Sequence, residues 1–221
     1  MMDVYEAIMT RRDVRSWFDS RPIPDAVLAR ILNAAHHAPS VGYSQPWNFI
    51  IIKDATIRGK IKALFEEERV RFGVGLEDNR KPIYDVLKLE GIMESPINIA
   101  VTCDSSRFGP NVLGRSTMPE TSAYSSVLAA GNIWLAARAE GIGTGWVSIF
   151  NKQKVKEVLE IPDSVELVAY LCLGYVEKFP DLPELEEKGW NRRTKLADLV
   201  FSDTWGHDVS DGLRSKIEEN V

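Results

Sequence analysis

Four short apolar runs set the terms on which this chain can fold. Trp47–Lys53 (WNFIIIK), Ile97–Cys103 (INIAVTC), Gly143–Ile149 (GTGWVSI) and Val165–Val176 (VELVAYLCLGYV) are rich in β-branched and aromatic residues. Runs of this length and composition read as buried strands. The segments between them are too long for hairpins and carry helical periodicity instead. Val4, Ala7 and Ile8 form a short stripe, and Pro24 reads as a first-turn residue of a helix bearing Val27, Leu28, Ile31, Leu32 and Ala35 on one face. Asp54 is placed to cap a long charged helix reaching about Phe72, with Ile57, Ile61, Leu64 and Phe65 on its apolar side. A second helical stretch is predicted from Ile83 to Met93, and another from Lys152 to Leu159. Tyr124–Ala139, rich in Ala and Leu, predicts a central buried helix. Gly73 to Arg80 is unpatterned, and Asp104–Glu120 has Gly and Pro without periodicity, the profile of a binding loop, a lid or disorder. From Glu177 the chain turns polar and Pro-interrupted. The expectation is one α+β domain over 1–221 with an extended C-terminal arm, about 177–221.

Composition excludes several functions. With 221 residues the chain suits a single domain, and a net charge of −5 argues against general binding to nucleic acid or anionic membrane. No apolar run approaches the roughly 20 residues that span a bilayer. Met1–Arg12 lacks a signal-peptide apolar region, so a cytoplasmic location is expected. Cys103 and Cys172 each sit inside a strand-like run and read as buried free thiols. Three histidines, two adjacent at His36 and His37, argue against a metal centre, and no metal is expected. His36 and His37 fall near a helix end, which favours a structural or capping role over catalysis.

Four stretches could carry chemistry. Arg11-Arg12-Asp13-Val14-Arg15 offers guanidinium forks suited to a phosphate, or else a solvated basic turn. An aspartate between arginines could accept a proton or hydrogen bonds beside an anionic ligand. His36–Phe49 (HHAPSVGYSQPWNF) combines tight-turn residues with the neutral groups of Ser40, Gln45 and Asn48, which can read a heteroaromatic edge. Its plainer reading is a helix-to-strand connection with Trp47 in the core. Gly141–Ser148 (GIGTGWVS) lets another group approach a strand closely, or simply ends a helix at Gly141; it is not a phosphate loop. Trp190–Arg193 (WNRR) is a second phosphate anchor or a solvated tail.

Together these stretches resemble the FMN-dependent nitroreductase superfamily. TRRDVRSWF, HHAPSVGYSQPWNFI, LKLEGI, VTCD, VLGR, NIWLAARAEGIGTGWVSI and VAYLCLGYV resemble its BluB-type branch, the 5,6-dimethylbenzimidazole synthases, in order from Thr10 to Arg193. Ordinary nitroreductases usually carry Ser where Asp13 stands, and the WVS ending at Ser148 is likewise branch-typical. The resemblance implies a nitroreductase-like sheet flanked by helices, an intertwined homodimer, and FMN bound between subunits. Reduced FMN would be a substrate, supplied by a separate flavin reductase and fragmented with molecular oxygen to 5,6-dimethylbenzimidazole and erythrose 4-phosphate. By motif, Arg11, Arg12, Val14 and Arg15 would contact the phosphate and pyrimidine side of FMN, with Arg192 and Arg193 as C-terminal anchors. Ser40 and the Gln45-Pro46-Trp47 turn would lie beside the rings, with Leu89 and Gly145 also in contact. Asp13 would act as base near the ribityl carbon, and Ser148 would sit by the N5/C4a edge that oxygen attacks. Residues from about 83 to 118 align with a lid that would exclude water. The alternatives are an NAD(P)H-dependent nitroreductase or flavin reductase on the same fold, and a non-enzymatic FMN-sequestering module.

Overall fold

All four expected strands form, and they pair into one antiparallel sheet. The computed structural model describes residues 2–77 and 79–219; Met1, Asp78, Asn220 and Val221, which belong to the 1–12 stretch, the unpatterned 73–80 stretch and the arm tip, lie outside it. The strands are β1 (Trp47–Ile52), β2 (Ile97–Cys103), β3 (Ile142–Val147) and β4 (Glu166–Tyr175), in spatial order β1-β2-β4-β3. The helices are α1 (Val4–Thr10), α2 (Asp25–His36), α3 (Ala55–Val74), α4 (Lys81–Val86), α5 (Thr121–Ala139), α6 (Lys152–Val158), α7 (Glu184–Glu187) and α8 (Asp211–Glu219).

The period of two along the central strands divides the core between the two faces of the sheet. Ile97, Ile99, Val101, Leu171 and Leu173 face α2 and α5, where Ile31, Ala129 and Ile133 meet them. Ala100, Tyr170 and Cys172 point the other way, toward Ile61 and Phe65 of α3 and Val155 of α6. Covered on both sides, β2 is buried at every residue, which is why INIAVTC shows no polar alternation. Asp54 does cap α3, its side chain accepting the Ile57 N–H at 2.9 Å. Both cysteines are free and buried, and desolvation pushes the Cys172 thiol up to about 12.

Three expectations change. The helix predicted over 83–93 spans Lys81–Val86 only. Beyond it Glu90 is drawn into the interior, with Oε2 accepting the Ile92 N–H at 2.7 Å and Oε1 paired with Lys62 and with Lys88. A side chain at Gly91 would fall 2.6 Å from the Phe18 ring. These tertiary ties override local propensity and straighten the backbone. Helix α5 is buried on one face only: Ala129, Ala130 and Ile133 are in the core, whereas Tyr124, Val127 and Leu128 are exposed. The stretch 83–118, expected to serve as a lid, is not one continuous loop, because interior strand β2 lies within it.

The loop after β2 is docked. Arg115, itself buried, donates to the carbonyls of Arg107 and Gly109, and Val112 is buried beside it. Gly42, at φ +51°, lets the 41–43 turn touch this loop; a Cβ there would lie 2.7 Å from Leu113 N. The first part of the C-terminal arm packs on its own chain. Glu184 accepts the Lys88 N–H at 3.2 Å, and Trp190 packs on Tyr84 with Arg80 over its ring. Past Asn191 the arm is largely exposed, including Leu196, Leu199 and Trp205.

Candidate active site

The site begins where α1 stops. Arg11 caps α1, and the chain then runs extended along the outer edge of β3. Asp13 bridges Thr144, and the Val14 N–H donates to the Thr144 carbonyl at 3.0 Å. The glycines of β3 make this possible. A Cβ on Gly145 would lie 2.2 Å from the Val14 carbonyl oxygen, and one on Gly143 would lie 3.2 Å from the Val14 side chain. The group that approaches this glycine strand is the protein's own Asp13–Val14 segment.

Asp13 is held at both oxygens. Oδ1 accepts the Trp146 N–H at 3.0 Å, and Oδ2 pairs with the buried Arg15 guanidinium. The Asp13 side chain keeps 29% exposure, so the carboxylate is reachable from outside. Surrounding protein nevertheless raises its pKa by desolvation, against the lowering effects of Arg15, the Trp146 N–H and Arg11. Ser148 is exposed just past the end of β3, two residues beyond Trp146, or roughly 7 Å along an extended chain. A cleft of about 140 Å³ opens here, lined by Trp146, Ser148, Phe150, Lys152 and Tyr170 among others.

Beside this carboxylate lies a basic cluster. Burial, then the charges of Arg11, Arg193 and Arg138, lower the Arg12 pKa, and Asp181 opposes them. Arg12 donates to the carbonyls of Met9 and Arg11, at 2.9 and 2.8 Å, and to that of Asp181. Arg11 lies over Trp134 at 5.0 Å and Arg138 over Phe179 at 3.9 Å, so aromatic faces hold the cations without neutralising them. The Nε atoms of Arg12 and Arg15 are buried with no hydrogen-bond partner among the described residues. Sequence reasoning passed over Arg138, which marked only the end of an apolar helix; a lone cation in the last turn of such a helix was the available signal.

The other predicted contacts lie elsewhere. Ser40 accepts the Gln45 N–H at 3.0 Å, and the Val41 N–H donates to Ser125 at 3.1 Å. Arg107 grips the carbonyls of Gln45 and Trp47 at 2.6 and 2.9 Å. Pro46 and Trp47 are buried; Trp47 is a core residue whose indole N–H donates to His36 at 3.2 Å, so the plainer reading of that side chain holds. Leu89 is buried on the α3 side of the sheet, and Arg192 is exposed. One sheet edge thus gathers Arg11 to Arg15, Gly145 and Ser148, with the charge of Arg193 felt there. The Ser40–Trp47 turn lies at the opposite edge, three strand spacings or about 14 Å away. Among the described residues no group of three His, Cys, Asp or Glu could hold a metal ion, and no helix is long and apolar enough to cross a membrane.

Comparison with known proteins gives this arrangement a context. Residues 8–175 match the model of the nitroreductase family. The chain is 44% identical over 183 residues to 5,6-dimethylbenzimidazole synthase of Rhodospirillum rubrum, covering 83% of this chain and 86% of that protein. It is 36% identical over 185 residues to the enzyme of that name from Rhodobacter capsulatus, covering 84% and 89%. Among solved structures, iodotyrosine deiodinase bound to FMN and 3-iodo-L-tyrosine superposes with a TM-score of 0.71 at 23% identity, covering 92% of this chain and all of that one. A BluB-like flavoprotein from Clostridium difficile 630 gives 0.63 at 22% identity, covering 85% and 97%. These two show the shared fold: a nitroreductase-like α+β sheet with flanking helices.

The apposition of Asp13–Val14 on β3 makes Gly145 a sensitive position. Gly145→Ala should cost about 1–3 kcal/mol in denaturant unfolding through overpacking, and should weaken any ligand held by Asp13 and Arg15.

Proposed function

This chain belongs to the nitroreductase family, and we propose that it acts as a 5,6-dimethylbenzimidazole synthase, taking reduced FMN and molecular oxygen and releasing the benzimidazole with erythrose 4-phosphate. Identity of 44% to a synthase across most of both chains supports this reading. The observation that carries it is the Asp13 carboxylate, fixed on the edge of β3 by the Trp146 N–H, two residues before Ser148. A hydride-shuttling reductase has no evident use for a basic group there.

The residues present fit FMN. A cluster of arginines with two orphaned guanidinium N–H groups is suited to a phosphate dianion. When bound, reduced FMN supplies the ring atoms of the product and the electrons taken by oxygen. Arg11, Arg12 and Arg193, joined by Arg138, hold the phosphate, and Arg15 serves the phosphate and pyrimidine side. Val14 and Gly145 form the backbone shelf. Asp13 would take the proton at Oδ2, the oxygen it shares with Arg15, while Oδ1 accepts the Trp146 N–H, and Ser148, exposed past the end of β3, would serve the side of the flavin that reacts with oxygen. Leu89 and the loops flanking β2 exclude water, which otherwise competes for every charge in the site.

A second copy of the chain completes the site. The cleft beside Ser148 is well below the roughly 300–1,000 Å³ of a ligand pocket, and the Ser40–Trp47 turn stands at the far sheet edge. A homodimer brings the turn of one copy against the Asp13 edge of the other. The half-exposed apolar face of α5 and the exposed arm beyond Asn191 supply its contact surface. Each protomer is a single domain, its electrons come from a separate cytoplasmic flavin reductase, and no metal takes part.

The direct test is to incubate the purified protein with chemically reduced FMN in air and identify any benzimidazole formed. Oxidation of NAD(P)H with bound flavin and no benzimidazole would establish the conventional reductase instead. Asp13→Asn should keep FMN binding and lose about 10²–10⁴-fold in single-turnover product yield; near-normal yield would remove Asp13 from the chemistry. Arg193→Ala should weaken FMN binding by about one to two orders of magnitude, the loss of one charge-assisted bond, and leave riboflavin binding unchanged in the same titration. Leu128→Glu should give a monomer by light scattering that no longer forms product; a fully active monomer would contradict the shared site.

A further inference from the structure

Asp13 is poorly placed to take a proton while Arg15 holds the oxygen that would receive it. Both carboxylate oxygens are engaged, one by the Trp146 N–H and the other by Arg15. A neighbouring guanidinium favours the ionised carboxylate and makes it a weaker base. Arg15, though, is only half committed. Its guanidinium has five donors in a fixed fork, yet Nη2 pairs with Asp13 while Nε lies buried with no partner among the described residues. The residue is buried, next to the partly exposed Asp13 side chain and within the segment that begins the basic cluster.

We propose that Arg15 is a positioning residue shared between Asp13 and the flavin: it holds the carboxylate in the empty site and turns to the anionic ligand on binding, so that Asp13 becomes a competent base only once the site is loaded. The idea rests on the FMN reading and deepens it, since an empty site would then keep its carboxylate blocked. The charged and titratable groups that bear on Asp13 are few. Arg15 and Arg11 come from its own segment, Glu184 from α7 and Cys172 from β4, while β3 contributes the uncharged Trp146 N–H. Arg11 stays over Trp134, Glu184 is tied to the Lys88 N–H, and the Cys172 thiol is neutral at working pH. Arg15 is the largest influence holding the Asp13 carboxyl down against burial. Its departure therefore raises the proton affinity of Asp13.

The signature is proton uptake on binding, readable with oxidised FMN and without turnover. Calorimetric titration in buffers of different ionisation enthalpy, across about pH 5–8, measures protons taken up per FMN. Wild type should take up more than Asp13→Asn, by up to about one proton per site. The excess should appear on the acid side and vanish as pH rises past the raised value. Arg15→Gln should show no excess over Asp13→Asn, its carboxylate being released beforehand. Should Arg15→Gln not fold, Asp13→Ser provides a second reference against wild type. Equal proton uptake by wild type and the Asp13 variants overturns the exchange and leaves Arg15 a structural partner, with FMN binding intact. Absence of FMN binding by the wild type overturns the flavin reading itself.

Discussion

Two hydrogen bonds organise the functional half of this molecule: Val14 N–H to the Thr144 carbonyl, and Trp146 N–H to Asp13 Oδ1. They dock an otherwise irregular segment on the open edge of β3, and they require glycine at position 145, where a Cβ would lie 2.2 Å from the Val14 carbonyl oxygen. Without that apposition Arg11 to Arg15 would be a solvated turn after a seven-residue helix. With it, three arginines and one carboxylate are fixed relative to Ser148, and the basic end of α5 is brought alongside.

Two opposite electrostatic environments then lie side by side. Around Asp13 burial favours the neutral acid, and Arg15 opposes it. Around Arg12 burial and like charges both work against the cation. Each group is therefore uncomfortable alone: burial opposes the charge of the carboxylate, and burial together with like charges opposes that of the guanidinium. The aromatic seats of Arg11 and Arg138 keep those cations in place without a counter-charge.

The sheet was legible because each strand has an unambiguous composition; β2 matches its expected bounds residue for residue, and Asp54 marked the start of α3 by its cap. Tertiary forces decided what was not legible. Glu90 sits in a stretch with helical propensity, and only its buried ion pairs with Lys62 and Lys88 pull that stretch out of the helix. The Ala and Leu content of α5 announced burial but could not say that one face, with Tyr124, Val127 and Leu128, stays exposed. Trp47 belonged to a motif that pointed to a ligand, yet its indole sits in the core and serves His36. The Asp13 and Arg clusters were visible as residues, but their pairing was not: whether Arg15 faces Asp13 or solvent depends on the glycine edge of a strand some 130 residues away.

The clamp between the 41–47 turn and the loop after β2 carries a dynamic consequence. Gly42 admits Leu113 to the turn, Arg107 ties the carbonyls of Gln45 and Trp47 to that loop, and the Asp104 N–H donates to the Pro46 carbonyl at 2.7 Å. Segments cross-linked this densely do not fray one at a time; they share a single free energy of opening. The amides of the turn and of the loop therefore open together, and their hydrogen exchange reports one common opening free energy rather than two independent ones.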